Sequence, residues 1–322
     1  MKKPFFPIIF KRILYAVLAC SLCVSLLCCR HDDTRMGGEA VTFTDALGRT
    51  VTVEKGTVRA AALLGSFADI WMLSGGSLCA AANDAWEDFG LADNDVINLG
   101  GAHSPSAELL LSSAPSLVLA SASTASNVAL RTLLEHAGIT VAYFRVDHFE
   151  DYLSMLDICT QITGRRDLYD TNGLQIKERI AAIRECCAAA DLPAEKRTVL
   201  LLRISSGKIK AKGSESTVLG RMLADMGCIN IADGGDALLE DLSIEDVIRQ
   251  QPYHIFAVAM GDDTEQAMTS LNLMIEEDPA WGTLDAVVNG RLHLLDKNLF
   301  HLKPNARWAI AYETLYQILT EE

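Results

Sequence analysis

Apolar and polar positions along the chain change period several times, and each change predicts a different element. Around residues 47–49, the stretches 41–44 and 50–53 alternate with period two, which predicts a short antiparallel hairpin. Continuous apolar runs follow at 58–64, 78–82, 117–120 and 140–144, separated by stretches of helical spacing at 66–73, 105–113 and 125–136. Strands that alternate with helices pair in parallel, so this region predicts an α/β lobe. From about 150 to 190 only the helical period remains, with Ile176, Ile180, Ile183 and Cys187 along one face. Gly164 and Gly173 are expected to interrupt it. At about 1.5 Å per residue such a run crosses roughly 30 Å or more, the width of a small domain, and predicts a connector between lobes, with an ordinary surface helix pair inside one domain as the alternative. After Leu192-Pro193 the alternation returns. Strand 198–204, helix 216–226 closed by Gly227, a helix from Ser243, strand 255–259 and helix 264–275 are followed by a short helix holding Trp281 and Leu284. A turn at Asn289-Gly290, strand 292–295 and helix 305–319 complete the second half.

The first 28 residues stand apart. Lys2, Lys3, Lys11 and Arg12 precede the apolar run 13–27, which is short for a membrane span and suits the apolar region of a secretion signal. The run ends in Leu26-Leu27-Cys28-Cys29, resembling a bacterial lipoprotein cleavage site with Cys29 as the lipidated first residue. Val17-Leu18-Ala19-Cys20 also fits the small-residue rule, but cleavage there would leave an apolar tail, and an uncleaved anchor is the other alternative. All three tether the body to a membrane, outside the cytoplasm. The expected partition is a signal peptide at 1–28, a tether at 29–40 containing Gly37-Gly38, an N-terminal lobe at 41–149, a bridging helical segment at 150–192 and a C-terminal lobe at 193–322.

Loss of the first 28 residues, with four cations and no acids, takes the net charge from −14 to −18. That field repels phosphate backbones and disfavours nucleic acid as a partner. Cys20 and Cys23 form a C-x-x-C, but inside the signal run, and Cys79, Cys159, Cys186, Cys187 and Cys228 have no metal-type spacing, so they read as small core hydrophobes. Asp147-His148-Phe149-Glu150-Asp151 invites a metal reading that a helix start explains better. G-x-S-x-G, H-E-x-x-H, P-loop and G-x-G-x-x-G motifs are all absent, and no catalytic residues or cofactor are nominated.

One short phrase occurs twice. Ser106-Ala107-Glu108 is followed by Pro115, and Ser243-Ile244-Glu245 by Pro252, each proline seven places after its glutamate and ahead of an apolar run. Singly, each serine is a helix N-cap and each glutamate sits where the helix dipole favours negative charge. Two copies, 137 positions apart, indicate related halves. At these residues the chain resembles the substrate-binding proteins of ABC importers for iron-siderophore, haem and cobalamin. The likeness takes in the hairpin, the segment 213–233 with Met226-Gly227-Cys228-Ile229-Asn230, and the tail from Asp278-Pro279-Ala280-Trp281 to Lys303-Pro304-Asn305-Ala306-Arg307-Trp308.

The resemblance implies two Rossmann-like α/β lobes joined by a long rigid helix, with the ligand cleft between them. It also implies a monomeric, non-enzymatic receptor for an iron chelate or cobalamin, serving an ABC permease dimer and its ATPase. Glu108 and Glu245 then fall where one exposed glutamate per lobe meets permease arginines, a bidentate pairing that fixes orientation. Cleft candidates are Ser66, Trp86, His103, Arg203, Lys208, Met260 and His301. Trp86 could offer an aromatic plate to a corrin, porphyrin or catecholate, or plug its own core. His103 and His301 could ligate a haem iron from opposite lobes or act as structural hydrogen-bonders. Arg203 and Lys208 could answer an anionic siderophore or stay solvated. Two further readings are a receptor for bare zinc or manganese, and a surface enzyme or adhesion protein on a duplicated α/β scaffold.

Overall fold

The hairpin predicted from alternation forms as β1 (Ala40–Thr44) and β2 (Thr50–Glu54), with Val41 opposite Val53 and Phe43 opposite Val51. The computed structural model describes residues 39–56, 58–205, 208–234, 239, 243–260 and 263–321. The signal segment, Cys29, the Cys20/Cys23 pair and Gly37-Gly38 lie outside the described residues.

The apolar runs become two separate sheets. In the first, β3 (Ala60–Ala62), β4 (Leu78–Ala81), β5 (Ile97–Asn98), β6 (Leu117–Ser121) and β7 (Thr140–Phe144) are parallel in the order β5-β4-β3-β6-β7. In the second, β8 (Thr198–Ser205), β10 (Ile229–Asn230), β11 (His254–Ala259) and β12 (Leu292–Leu295) are parallel in the order β10-β8-β11-β12. Strand β9 (Lys208–Ala211) lies antiparallel on β8. In the first sheet the chain reverses its direction of travel between β3 and β6, and such a switch leaves a crevice at the carboxyl ends of the strands. The short strands β5, β9 and β10 are too brief to leave a periodic signature and were not anticipated.

Both faces of each sheet are covered, which is why the strands read as unbroken apolar runs. Leu117 and Leu119 of β6 face one cluster while Val118 and Ala120 face another. In the second sheet Phe256 and Val258 point one way and Ile255 and Ala257 the other. One cluster is common to both lobes: it runs from Ala60, Leu117 and Phe144 through Tyr152, Leu156 and Ile180 to Val199, Phe256, Trp308 and Leu315.

The bridging segment consists of a helix Phe149–Thr163, stopped by Gly164 in the left-handed conformation (φ 75°), and a second helical run from Arg166 to Ala189. His148 caps the first through a capping box with Asp151, so the acidic pentad is a helix start. At about 1.5 Å per residue the second run spans roughly 35 Å. Ile176, Ile180, Ile183 and Cys187 are all buried, as their spacing predicts. Gly173 marks a break in the α-helical geometry, as expected, although the chain continues as a helical run through it. It sits in a π-helical turn, Asp170–Leu174, where a Cβ would lie 2.8 Å from Leu153 Cδ1, so it permits two helices to approach closely. Tyr152 Oη donates to the Asn172 carbonyl at 2.7 Å, satisfying a group in that irregular turn. The stretch predicted as one helix over 125–136 is two, Ala125–Ala129 and Arg131–His136. Buried Asn127 is drawn inward there: its Oδ1 accepts from Ser121 N and its Nδ2 donates to the Ala102 carbonyl.

Candidate ligand cleft

Strand ends and the loops after them supply side chains that meet where the two lobes face each other. A pocket of about 360 Å³ is lined by Val146 and Asp147 after β7, Arg203 of β8, residues 215–218 and Arg221 at the start of the helix Val218–Asp225, and His301 and Lys303. Two side chains of the C-terminal segment, Lys297 and Asn305, reach across to the first lobe. Lys297 Nζ reaches Asp88 Oδ1 at 2.7 Å, joining the helix Lys297–Phe300 to the loop after Asp84–Glu87, with both side chains mostly buried. Asn305, buried in a left-handed conformation (φ 52°), donates to the Ser66 carbonyl at 2.9 Å and to Asp69 Oδ2 at 2.8 Å.

The electrostatics of the pocket are set by burial and by cations. Arg221 pairs with Glu215 at 3.0 Å. Among the described residues, Arg203 and Lys303, both half-buried, have no hydrogen-bond or ion-pair partner within contact distance. Burial lowers the pKa of both; for Lys303 the Asp147 carboxylate opposes the shift. His301 is lowered to about 4, first by burial and then by Arg203, Lys303 and Lys297, with Asp88 acting the other way. Its imidazole is therefore neutral at physiological pH.

Of the positions nominated from sequence, the structure brings Arg203 and His301 together in this pocket. Ser66 is buried and presents its carbonyl to Asn305. Trp86 is half-buried against the apolar cluster common to both lobes and is not among the residues lining this pocket. His103, Lys208 and Met260 are exposed and do not line it either. Lys303, Arg221 and Glu215 were not among the cleft candidates, and Asp147 was weighed only within the acidic pentad, because single charges scattered over separate segments carry no periodic or spacing signal. Among the described residues no group of three or more His, Cys, Asp or Glu is placed to hold a metal ion, and Cys79, Cys159, Cys186, Cys187 and Cys228 are free thiols.

The repeated phrase forms the same local structure twice. Ser106 Oγ accepts from Leu109 N, and Ser243 Oγ from Asp246 N, each at 3.3 Å. The two N-caps have φ, ψ of −70°, 111° and −72°, 115°. Both copies end on a non-glycine residue in the left-handed region immediately before the proline: Ala114 (φ 46°) and Gln251 (φ 43°). Glu108 and Glu245 are both exposed, and the Glu245 carboxylate accepts from Ser243 Oγ at 3.1 Å.

Two α/β lobes around an interlobe pocket, spanned by a helical run, define a two-lobed solute-binding class of protein. The sequence model described as periplasmic binding protein matches residues 61–299, and the chain belongs to that family. Curated protein sequences contain no match. Among solved structures, the apo periplasmic haem-binding protein RhuT from Roseiflexus sp. RS-1 is similar at TM-score 0.66 and 22% identity, over 82% of this chain and 98% of that one. The siderophore-binding protein BauB, bound to two acinetobactin molecules and ferric iron, is similar at TM-score 0.71 and 17% identity, over 88% and 100% of the two chains. The periplasmic vitamin B12-binding protein BtuF of Vibrio cholerae is similar at TM-score 0.65 and 17% identity, over 81% and 96%.

Proposed function

We propose that this chain is the extracytoplasmic receptor of an ABC importer. It captures an iron chelate, either siderophore or haem, or a cobalamin between its lobes and releases it to a permease dimer whose own ATPase supplies the energy. Membership of the periplasmic binding protein family supports a receptor and not an enzyme, and the named ligands of the structural neighbours support the chelate class. In this reading residues 1–28 are removed, Cys29 carries the lipid, residues 29–40 form the tether, and 41–149, 150–192 and 193–322 are first lobe, bridge and second lobe. The apolar cluster common to both lobes supports limited closure around a largely pre-formed site, since wide opening would expose that surface to water.

The observation that carries the proposal is the pair of matching helix starts, each with an exposed glutamate fixed close to a capped N-terminus. Two carboxylates on rigid, related supports suit a partner built from two similar subunits with basic sockets. Replacing both by lysine should abolish chelate uptake by cells while the purified full chain still binds its ligand. Uptake that survives the double reversal, or binding lost together with uptake, would remove Glu108 and Glu245 from docking. Cys29→Ala should release the protein from the membrane fraction, and continued lipid labelling of that variant would move the anchor to another residue.

A further inference from the structure

Resting on the receptor reading, we infer that the ligand is a compact, hydrophilic polyanion, an iron chelate built on carboxylates, and not a porphyrin or corrinoid. Three features of the interlobe pocket lead there. Arg203 and Lys303 bring two half-buried cations to one place with no partner among the described residues, and a guanidinium with unused donors in a partly dry site is a receptor for a planar oxyanion. The lining is polar: Val146 and Val218 are its apolar members, whereas sites for large flat macrocycles are lined mainly by apolar and aromatic side chains. Trp86, the aromatic that could have stacked on a macrocycle, is turned against the common core.

The charge of the whole chain makes these cations stand out. The whole chain carries −14, a field that opposes the approach of any anion, so two cleft cations with no carboxylate in contact among the described residues are a local exception to the protein's own bias. They cost desolvation in the empty pocket and recover it when an anion binds. Asp147 lies near Lys303 and competes with the ligand for it. The predicted order of effects follows: neutralising Arg203 or Lys303 weakens binding, and neutralising Asp147 strengthens it.

The test titrates the full chain in detergent with ferric citrate, a neutral ferric trihydroxamate, hemin, cyanocobalamin, and zinc and manganese ions, following tryptophan fluorescence and visible absorbance. Ferric citrate should bind, with affinity falling steeply as salt rises. Arg203→Met and Lys303→Met should each weaken it about tenfold to a hundredfold, the loss expected for a charge-assisted hydrogen bond. Asp147→Asn should tighten it several-fold, a gain that misfolding cannot produce. If hemin, cyanocobalamin or the trihydroxamate binds and ferric citrate does not, the receptor reading stands and the polyanion is wrong. If ferric citrate binds but Asp147→Asn and Arg203→Met both leave its affinity unchanged, the polyanion is wrong for this pocket. If none of the chelates binds, or the bare ions alone do, the receptor reading fails along with it.

Discussion

The contact between Asp88 and Lys297 fastens the two lobes beside the pocket, and its worth can be stated in advance. The 2.7 Å pair is 14% and 13% exposed at its two side chains, so it lies between two regimes. Surface pairs contribute about 0–1 kcal/mol, whereas breaking a fully buried one costs about 3–5 kcal/mol. A coupling energy of about 2 kcal/mol is therefore expected from the cycle of Asp88→Asn, Lys297→Met and the double variant, measured by urea unfolding. Each single change should lower the melting temperature by about 4 °C. The double change should recover part of the loss, because it removes both charges of the pair together. His301 gives a second, independent readout. Lys297 pushes its pKa down and Asp88 pushes it up, so Lys297→Met should raise the value above about 4 and Asp88→Asn should lower it, as followed by the imidazole NMR signals. A coupling below about 0.5 kcal/mol, or His301 shifts in the same direction for both variants, would refute the claim that this pair fastens the lobes within reach of the pocket.

Acid should destabilise the body. His254, buried and hydrogen-bonded to His293 through Nδ1 at 3.1 Å, has a pKa lowered to about 4 by burial and then by His293, Arg291 and Lys196. The unfolded chain then binds more protons than the folded one, so stability is full above about 6.5 and is lost as pH falls toward 4, by at most about 3 kcal/mol per histidine. His254→Gln should flatten the stability profile between those limits, and an unchanged profile would assign the acid lability elsewhere. Gly220→Ala should cost about 3 kcal/mol or prevent folding, because its Cβ would sit 2.5 Å from the Ser214 carbonyl oxygen, a backbone atom that cannot swing aside; near-wild-type denaturant midpoints would contradict that packing. Ala114→Gly and Gln251→Gly should each stabilise by about 1 kcal/mol, since both replace a side chain held at positive φ, and a loss in either would show that the side chain contributes more than its strain costs.

Much of the fold was legible because its signals are local. Period-two alternation marked the hairpin, unbroken apolar runs marked strands covered on both faces, and the spacing of Ile176, Ile180, Ile183 and Cys187 marked the buried face of the bridge. The duplicated Ser-x-Glu phrase was also legible, and both copies fold with the same cap and the same left-handed residue ahead of proline. Gly173 does interrupt the α-helix, but as a π-helical turn and not a chain break, and the reason is tertiary: a neighbouring helix pressed against it leaves no room for a side chain.

The chain's local chemistry thus determined two α/β lobes, the helical run between them, and two capped helix starts that expose a glutamate. Only the tertiary structure decided the pocket. Arg203, Arg221, Lys303 and Asp147 come from separate segments and share no period or motif, and their significance lies in which of them have partners once the lobes meet. The same holds for Trp86, whose sequence context fits a cleft or a core equally, and for Asp88 and Lys297, 209 residues apart. Periodicity reports the burial of an element's own face, whereas the charge balance of a cleft is a sum over residues that meet only after folding.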